Sequence, residues 1–128
     1  MTKWIISCCI SFFAVVAYAQ DSTAIRVLEP EVFKLKVENW PLQFVDVRTP
    51  QEYKSGHIPG AENIDFKAEG FLSQMNKFEK DKPIYLYCRS GNRSGKAAAQ
   101  LSEMGFKYII DLKGGYKAWK EIEEEQKH

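Results

Sequence analysis

The amino-acid sequence predicts an α/β domain with a central parallel sheet and helices on both faces. Three observations carry that expectation. Short β-rich runs alternate with helical patterns along the chain, the order that yields parallel strands joined by crossovers. The two clearest strands, "LQFVDVR" (42–48) and "PIYLYC" (83–88), have unbroken apolar centres, as strands covered on both faces do. At 128 residues there is room for one such domain.

The elements follow in order. "AIRVL" (24–28) reads as a short strand, and Pro30 suits the first turn of a helix running through Glu38. After the strand at 42–48, "TPQEYKSG" (49–56) opens on a turn signal and fits one or two helical turns. "HIPGAENID" (57–65) is a loop leading into a short strand. Phe71, Leu72, Met75 and Phe78 fall at helical spacing and predict an amphipathic helix over 69–79. Beyond the strand at 83–88, Ser94 to Met104 forms the clearest helix, with Ala97, Ala98, Leu101 and Met104 on one face and Gly105 as its C-terminal cap. "KYIIDL" (107–112) returns as a strand. Gly114 and Gly115 then precede a last helix anchored by Trp119 and Ile122.

The first nineteen residues differ from the rest. Lys3 gives a positive start, Trp4 to Val16 is almost wholly apolar or small, and "AYAQ" supplies an A-x-A pattern with the cut after Ala19. The apolar run falls short of the roughly 20 residues that span a bilayer. A cleaved secretory signal over 1–19 is therefore expected, with 20–128 as the mature domain and a periplasmic or secreted location; the alternative is a retained N-terminal anchor. Of the 18 basic and 17 acidic residues, cleavage removes Lys3, leaving a neutral chain that asks for neither nucleic acid nor stable membrane association. Cys8 and Cys9 leave too, so the mature segment has one cysteine, Cys88, and no internal disulfide.

That cysteine sits in "IYLYCRSGNRSGKAAAQL" (84–101). In open parallel sheets, ligands bind at the carboxyl ends of strands. Cys88 closes a strand, and a helix opens at Ser94, where unpaired amides and partial positive charge gather. Such surroundings, with Arg89 and Arg93 alongside, favour a thiolate. Gly91 permits a backbone that turns successive amides inward to hold an anion. A lone cysteine at a strand end is ordinarily a small buried hydrophobe; here the arginines, the glycine and the helix together point to a reactive one.

"YCRSGNRSGKAA" resembles the active-site loop of the rhodanese, or thiosulfate sulfurtransferase, family. "FVDVRTPQEYKSGHIPGAENI" (44–64) and "LKGGYKAW" (112–119) resemble two further hallmarks of that family, in the right order. The resemblance implies a three-layer rhodanese domain and a two-step reaction. Cys88 takes sulfane sulfur from a donor, becomes a persulfide, and passes the sulfur to a thiophilic acceptor such as cyanide or a thiol. The loop Arg89, Ser90, Gly91, Asn92, Arg93 and Ser94 would bind a small anionic donor, and its charge points to thiosulfate rather than 3-mercaptopyruvate. No cofactor is expected. An exported thiol also leaves room for a protein partner, as sulfur acceptor or reductant.

Asp46 and Arg48 end a strand and can reach the same sheet edge as Cys88. They either order the loop or orient substrate, or else form an internal Arg48–Glu52 or Asp46–backbone interaction that shapes it. His57 in "GHIPGA" falls in what the resemblance treats as scaffold. Gly114 and Gly115 suit a close backbone approach beneath the active-site loop. Ser90, Asn92 and Ser94 are expected to form loop hydrogen bonds, with Ser94 able to cap the next helix. One cysteine and two distant histidines offer no metal-site spacing.

Two rivals share the chemistry. A cysteine-dependent phosphatase or arsenate reductase also uses a cysteine in an anion loop. However, tyrosine-type phosphatases space five residues between Cys and Arg, and here Ser94 stands where that arginine would fall. A persulfide carrier or sulfide-binding module acting with a protein partner would have the same loop.

Overall fold

The structure, a computed structural model, describes residues 23–39 and 42–128, together with residue 11. The expected signal over 1–19 lies outside the described residues, residue 11 apart. Ten elements alternate: β1 (Ala24–Leu28), α1 (Pro30–Asn39), β2 (Gln43–Asp46), α2 (Pro50–Ser55), β3 (Glu62–Asn63), α3 (Phe71–Met75), β4 (Ile84–Tyr87), α4 (Asn92–Glu103), β5 (Tyr108–Leu112) and α5 (Gly115–Gln126). The strands form a five-stranded sheet in the order β1-β5-β4-β2-β3. Every pairing is parallel. This is the expected α/β architecture.

Alternation along β4 shows how the layers arise. Ile84, Leu86 and Cys88 enter a core shared with Phe71 and Met75 of α3 and with Ala97, Ala98 and Leu101 of α4. Tyr85 and Tyr87 face the other way, into a core with Phe33 of α1 and Trp119 of α5. A strand buried on both sides must be apolar at every position, and β4 is buried throughout. Leu101 is fully enclosed, so truncating it to alanine would cost about 2–5 kcal/mol.

Local chemistry sets the helix starts. α1 has Pro30 at its first position and Glu31 in its first turn, with Lys36 in its last, a charge order that suits the helix dipole. α2 is held by a capping box in which the Thr49 side chain accepts from the Glu52 amide, while Glu52 accepts from the Thr49 amide.

Two elements differ from expectation. The helix read over 69–79 contracts to Phe71–Met75. Beyond it, the Lys77 and Phe78 amides reach back only three residues, to Gln74 and Met75, so the chain tightens into turns while Phe78 still packs on the core. α4 begins at Asn92 rather than Ser94, because Gly91 takes the N-cap position with φ +103°. Ser94 therefore does not cap the helix. It lies inside the first turn and is free to point elsewhere.

Candidate active site

β4 delivers Cys88 to the carboxyl end of the sheet, with 1% of the residue exposed. The chain then passes through Arg89, Ser90 and Gly91 into α4. Two donors converge on the sulfur: the Gly91 amide at 3.1 Å and the Ser94 hydroxyl at 3.4 Å. The first backbone bond of α4 runs from the Gly95 amide to the Gly91 carbonyl. The amides of Asn92, Arg93 and Ser94 are thus left without helical partners, as at any helix start. The sulfur therefore faces two hydrogen-bond donors at the amino end of a helix, where partial positive charge gathers.

The loop carbonyls are held from behind. The Tyr116 and Lys117 amides at the start of α5 donate to the carbonyls of Cys88 and Arg89, at 2.7 and 3.0 Å. That contact needs glycine. A Cβ on Gly115, which has φ +63°, would lie 2.5 Å from both the Cys88 oxygen and the Arg89 carbonyl carbon. With its carbonyls drawn towards α5, the loop keeps the Gly91 amide for the sulfur.

The three arginines near this edge have separate surroundings. Arg48 is buried and makes a forked pair with Asp46, its Nε 3.0 Å from both carboxylate oxygens and one terminal nitrogen 2.7 Å from Oδ2. That nitrogen also donates to the Gly56 carbonyl at 2.7 Å. The guanidinium lies 4.2 Å from the Tyr116 ring centroid. Burial works to lower the Arg48 pKa, but the hydrogen bond and charge of Asp46 outweigh it and raise it. Arg48 and Asp46 thus brace the ends of β2 and α2 against the residue that holds the loop. The Arg48–Glu52 pair weighed from the sequence is not formed.

Glu52 instead reaches across to Arg93, with oxygen–nitrogen distances of 2.7 and 2.9 Å. This pair, with the Thr49 cap, holds the Glu52 carboxyl at about 2. Glu52 in turn raises Arg93, as does the nearby Cys88. The Arg93 charge is therefore shared with a carboxylate. Arg89 is exposed, and its side chain has no ion-pair partner among the described residues. It lines a groove of about 470 Å³ with Lys117, Lys120, Tyr116, Glu52 and Arg48.

Ser90 and Asn92 are exposed, and among the described residues their side chains make no hydrogen bonds. His57 stacks on Tyr53 at 3.7 Å between ring centroids and contacts its carbonyl through Nδ1, a role in scaffold. Among the described residues no cluster of three or more His, Cys, Asp or Glu side chains could hold a metal ion.

Two residues of the site, Tyr116 and Asp111, are not singled out by the sequence, and Glu52 is weighed there only as a partner for Arg48. Glu52 had a signal in its capping-box spacing from Thr49, and Tyr116 in the glycine pair before it. Asp111 stands as a lone acid in the apolar strand "YIIDL" and is 4% exposed. Burial pushes its carboxyl up to about 6, against the Ser94 hydroxyl and the Leu112 amide, which hold it down.

A family model for the rhodanese-like domain matches residues 29–122. Among similar proteins, "Thiosulfate sulfurtransferase 16, chloroplastic" of Arabidopsis thaliana is 38% identical over 87 residues, covering 60% of this chain and 72% of that protein. "Putative sulfur carrier protein YrkF" of Bacillus subtilis is 32% identical over 102 residues, covering 79% of this chain and 54% of that protein. Among solved structures, a rhodanese-related protein from Thermoplasma volcanium superposes with a TM-score of 0.66 at 29% identity, covering 76% of this chain and 92% of that one.

Proposed function

We propose, on the premise that the chain belongs to the rhodanese-like domain family, that it transfers sulfane sulfur from thiosulfate through a persulfide on Cys88 to a thiophilic acceptor. The convergence of the Gly91 amide and the Ser94 hydroxyl on the Cys88 sulfur carries this reading. In the first step the thiolate attacks the outer sulfur of thiosulfate. A new S–S bond forms to Cys88, the thiosulfate S–S bond breaks, and sulfite leaves with that electron pair. In the second, cyanide or a thiolate attacks the terminal sulfur and takes it as thiocyanate or as a new persulfide. The Cys88 thiolate is then restored.

The unpaired amides of Asn92, Arg93 and Ser94 provide donors for the charge on the terminal sulfur. Arg89, with Lys117 and Lys120 along the adjoining groove, supplies cations for the leaving sulfite. Arg93 contributes less, since Glu52 already meets it. Ser94 fills the position of a phosphatase arginine and is buried against the sulfur, which supports sulfur over phosphoryl chemistry. Export with removal of residues 1–19 belongs to the same proposal; the mass of the chain recovered from the producing cell checks it.

The decisive experiment incubates reduced protein with thiosulfate and measures intact mass and released sulfite, beside a Cys88→Ala variant, then adds cyanide. One sulfur gained by the parent alone, then discharged as thiocyanate over repeated cycles, is expected. A sulfur gained but not released to cyanide would favour a carrier, in keeping with the name of the Bacillus subtilis relative. No gain from any sulfane donor by reduced, folded protein would overturn the proposal.

A further inference from the structure

Asp111 is a buried acid for which the sulfur-transfer steps leave no task. One of its oxygens, Oδ1, is enclosed and has no hydrogen-bond partner, and leaving such an atom unmet is costly. Its strand register explains where it lies. Ile109 enters the core beneath α4, and Ile110 enters the opposite core. Asp111 therefore returns to the α4 side, beside Leu86 of β4 and two residues short of the level of Cys88. The Ser94 hydroxyl, 3.4 Å from the Cys88 sulfur, also bears on the Asp111 carboxyl. Ser94 and Asp111 are both buried, on a helix and a strand that pack together, so the hydroxyl and the carboxyl share one layer with the buried thiol.

We infer that Asp111 is a positioning residue that takes up the Cys88 proton through Ser94. In the resting arrangement the thiol S–H donates to the Ser94 oxygen and the Ser94 O–H donates to the Asp111 carboxylate. The proton of Cys88 passes to Ser94 as that of Ser94 passes to Asp111. The S–H bond breaks, an O–H bond forms on Asp111, and the serine exchanges one proton for another. Afterwards Asp111 donates to Ser94, and Ser94 donates to the thiolate, the direction found between Ser94 and Cys88. The buried site keeps one negative charge throughout. Two anions on either side of Ser94 would repel each other, so a carboxyl that accepts the proton lets the thiolate form without that penalty.

The surroundings isolate this pair. The carboxyl lies well above the ordinary range because of burial, and no charged neighbour contributes to its shift. On α4, Arg93 is turned to Glu52 and Lys96 is exposed; on β1, Arg26 is exposed; beyond β5, Lys113 pairs with Glu29. The charges of α5 lie across the sheet, on the side of Trp119. Cys88 is left as the titratable partner from β4.

The inference rests on Cys88 being the nucleophile, and its test needs no sulfur donor. Cys88 alkylation by iodoacetamide is followed against pH in the parent, Asp111→Asn and Ser94→Ala, with folding checked by circular dichroism. Two interacting groups titrate in two steps. The parent is expected to show a lower and an upper step, and Asp111→Asn a single step, about one pH unit or more below the parent's upper one. Ser94→Ala keeps the carboxyl but breaks the path, so its lower step shrinks. Superimposable single steps in parent and Asp111→Asn would overturn the inference, as would an unchanged lower step in Ser94→Ala. If Asp111→Asn does not fold, the serine variant decides alone. Sulfur uptake from thiosulfate on the same samples separates the two claims, since uptake can fail while the two-step profile stands.

Discussion

At the amino end of the sheet, Gln43, Phe44, Glu79, Lys82 and Pro83 border a groove of about 500 Å³. At the carboxyl end a groove of about 470 Å³ runs beside the Cys88 loop. Size does not distinguish them; what is buried there does. All four buried polar or charged side chains among the described residues, Asp46, Arg48, Ser94 and Asp111, belong to the carboxyl end. The amino end is closed by Gln43, exchanging hydrogen bonds with the Glu79 backbone, and by an exposed Lys82–Glu79 pair. Desolvating a charge is expensive unless it is paired. An end that holds several such groups is therefore organised around something other than stability, while the other end is a solvated rim.

Breaking the buried pair tests this contrast most severely. Asp46→Ala leaves Arg48 enclosed without its carboxylate and is expected to cost about 3–5 kcal/mol in chemical denaturation. Lys82→Ala at the opposite end should leave the denaturation midpoint where it was. Equal effects would abolish the distinction between the ends.

Next come two glycines that both have positive φ, Gly115 at +63° and Gly60 at +90°. Alanine at Gly115 must displace the Cys88 and Arg89 carbonyls, at about 3 kcal/mol for overpacking and backbone strain together. It should also slow sulfur uptake. Alanine at Gly60, which borders the amino-end groove and has nothing within 4 Å of a Cβ, meets only the backbone penalty of about 1–2 kcal/mol. Thermal denaturation of both variants ranks them.

A third contrast depends on pH. The folded Asp111 carboxyl, near 6, lies above its ordinary value of 3.8, so the folded state holds the proton more tightly than the unfolded chain. Its contribution is present in full below pH 3.8 and is lost as pH rises through about 6, a change of up to about 3 kcal/mol. Denaturation between these limits should show this loss in the parent and not in Asp111→Asn. The Glu52 carboxyl, at about 2 against 4.5, has the opposite sign: its contribution is present above pH 4.5 and lost as pH falls through about 2. Glu52→Gln, the smallest effect, should cost about 1 kcal/mol near neutrality. By freeing Arg93 it should also lower the KM for thiosulfate.

These contrasts also separate what the chain reveals locally from what folding brings together. Cys88, Gly91 and the following helix were legible because the loop is one continuous stretch whose chemistry repeats in its spacing. The parallel sheet was legible from apolar strands such as 84–87. The apolar spacing over 69–79 overstates its helix, since periodicity registers which side chains pack and not where the backbone tightens. Arg48 was recognised, but its partner was not: Asp46 lies two residues away, and Glu52 is drawn off by Arg93, 41 residues distant. The Cys88–Ser94–Asp111 arrangement needs β4, α4 and β5 stacked together. An acid alternating among isoleucines shows only that something on that side of the strand must account for it.

The clamp of α5 on the loop also sets an order of events in synthesis. Cys88 is joined to the growing chain well before Gly115, Tyr116 and Lys117, whose backbone holds the Cys88 and Arg89 carbonyls. A nascent chain that has reached Leu112 has its cysteine but not the backing that shapes the loop around it. Until the last helix arrives, the thiol is one more side chain in an unfinished sheet. The loop thus takes its shape only when nearly the whole domain has been made, so an aborted product carries the cysteine without the backing that the proposed reaction calls for.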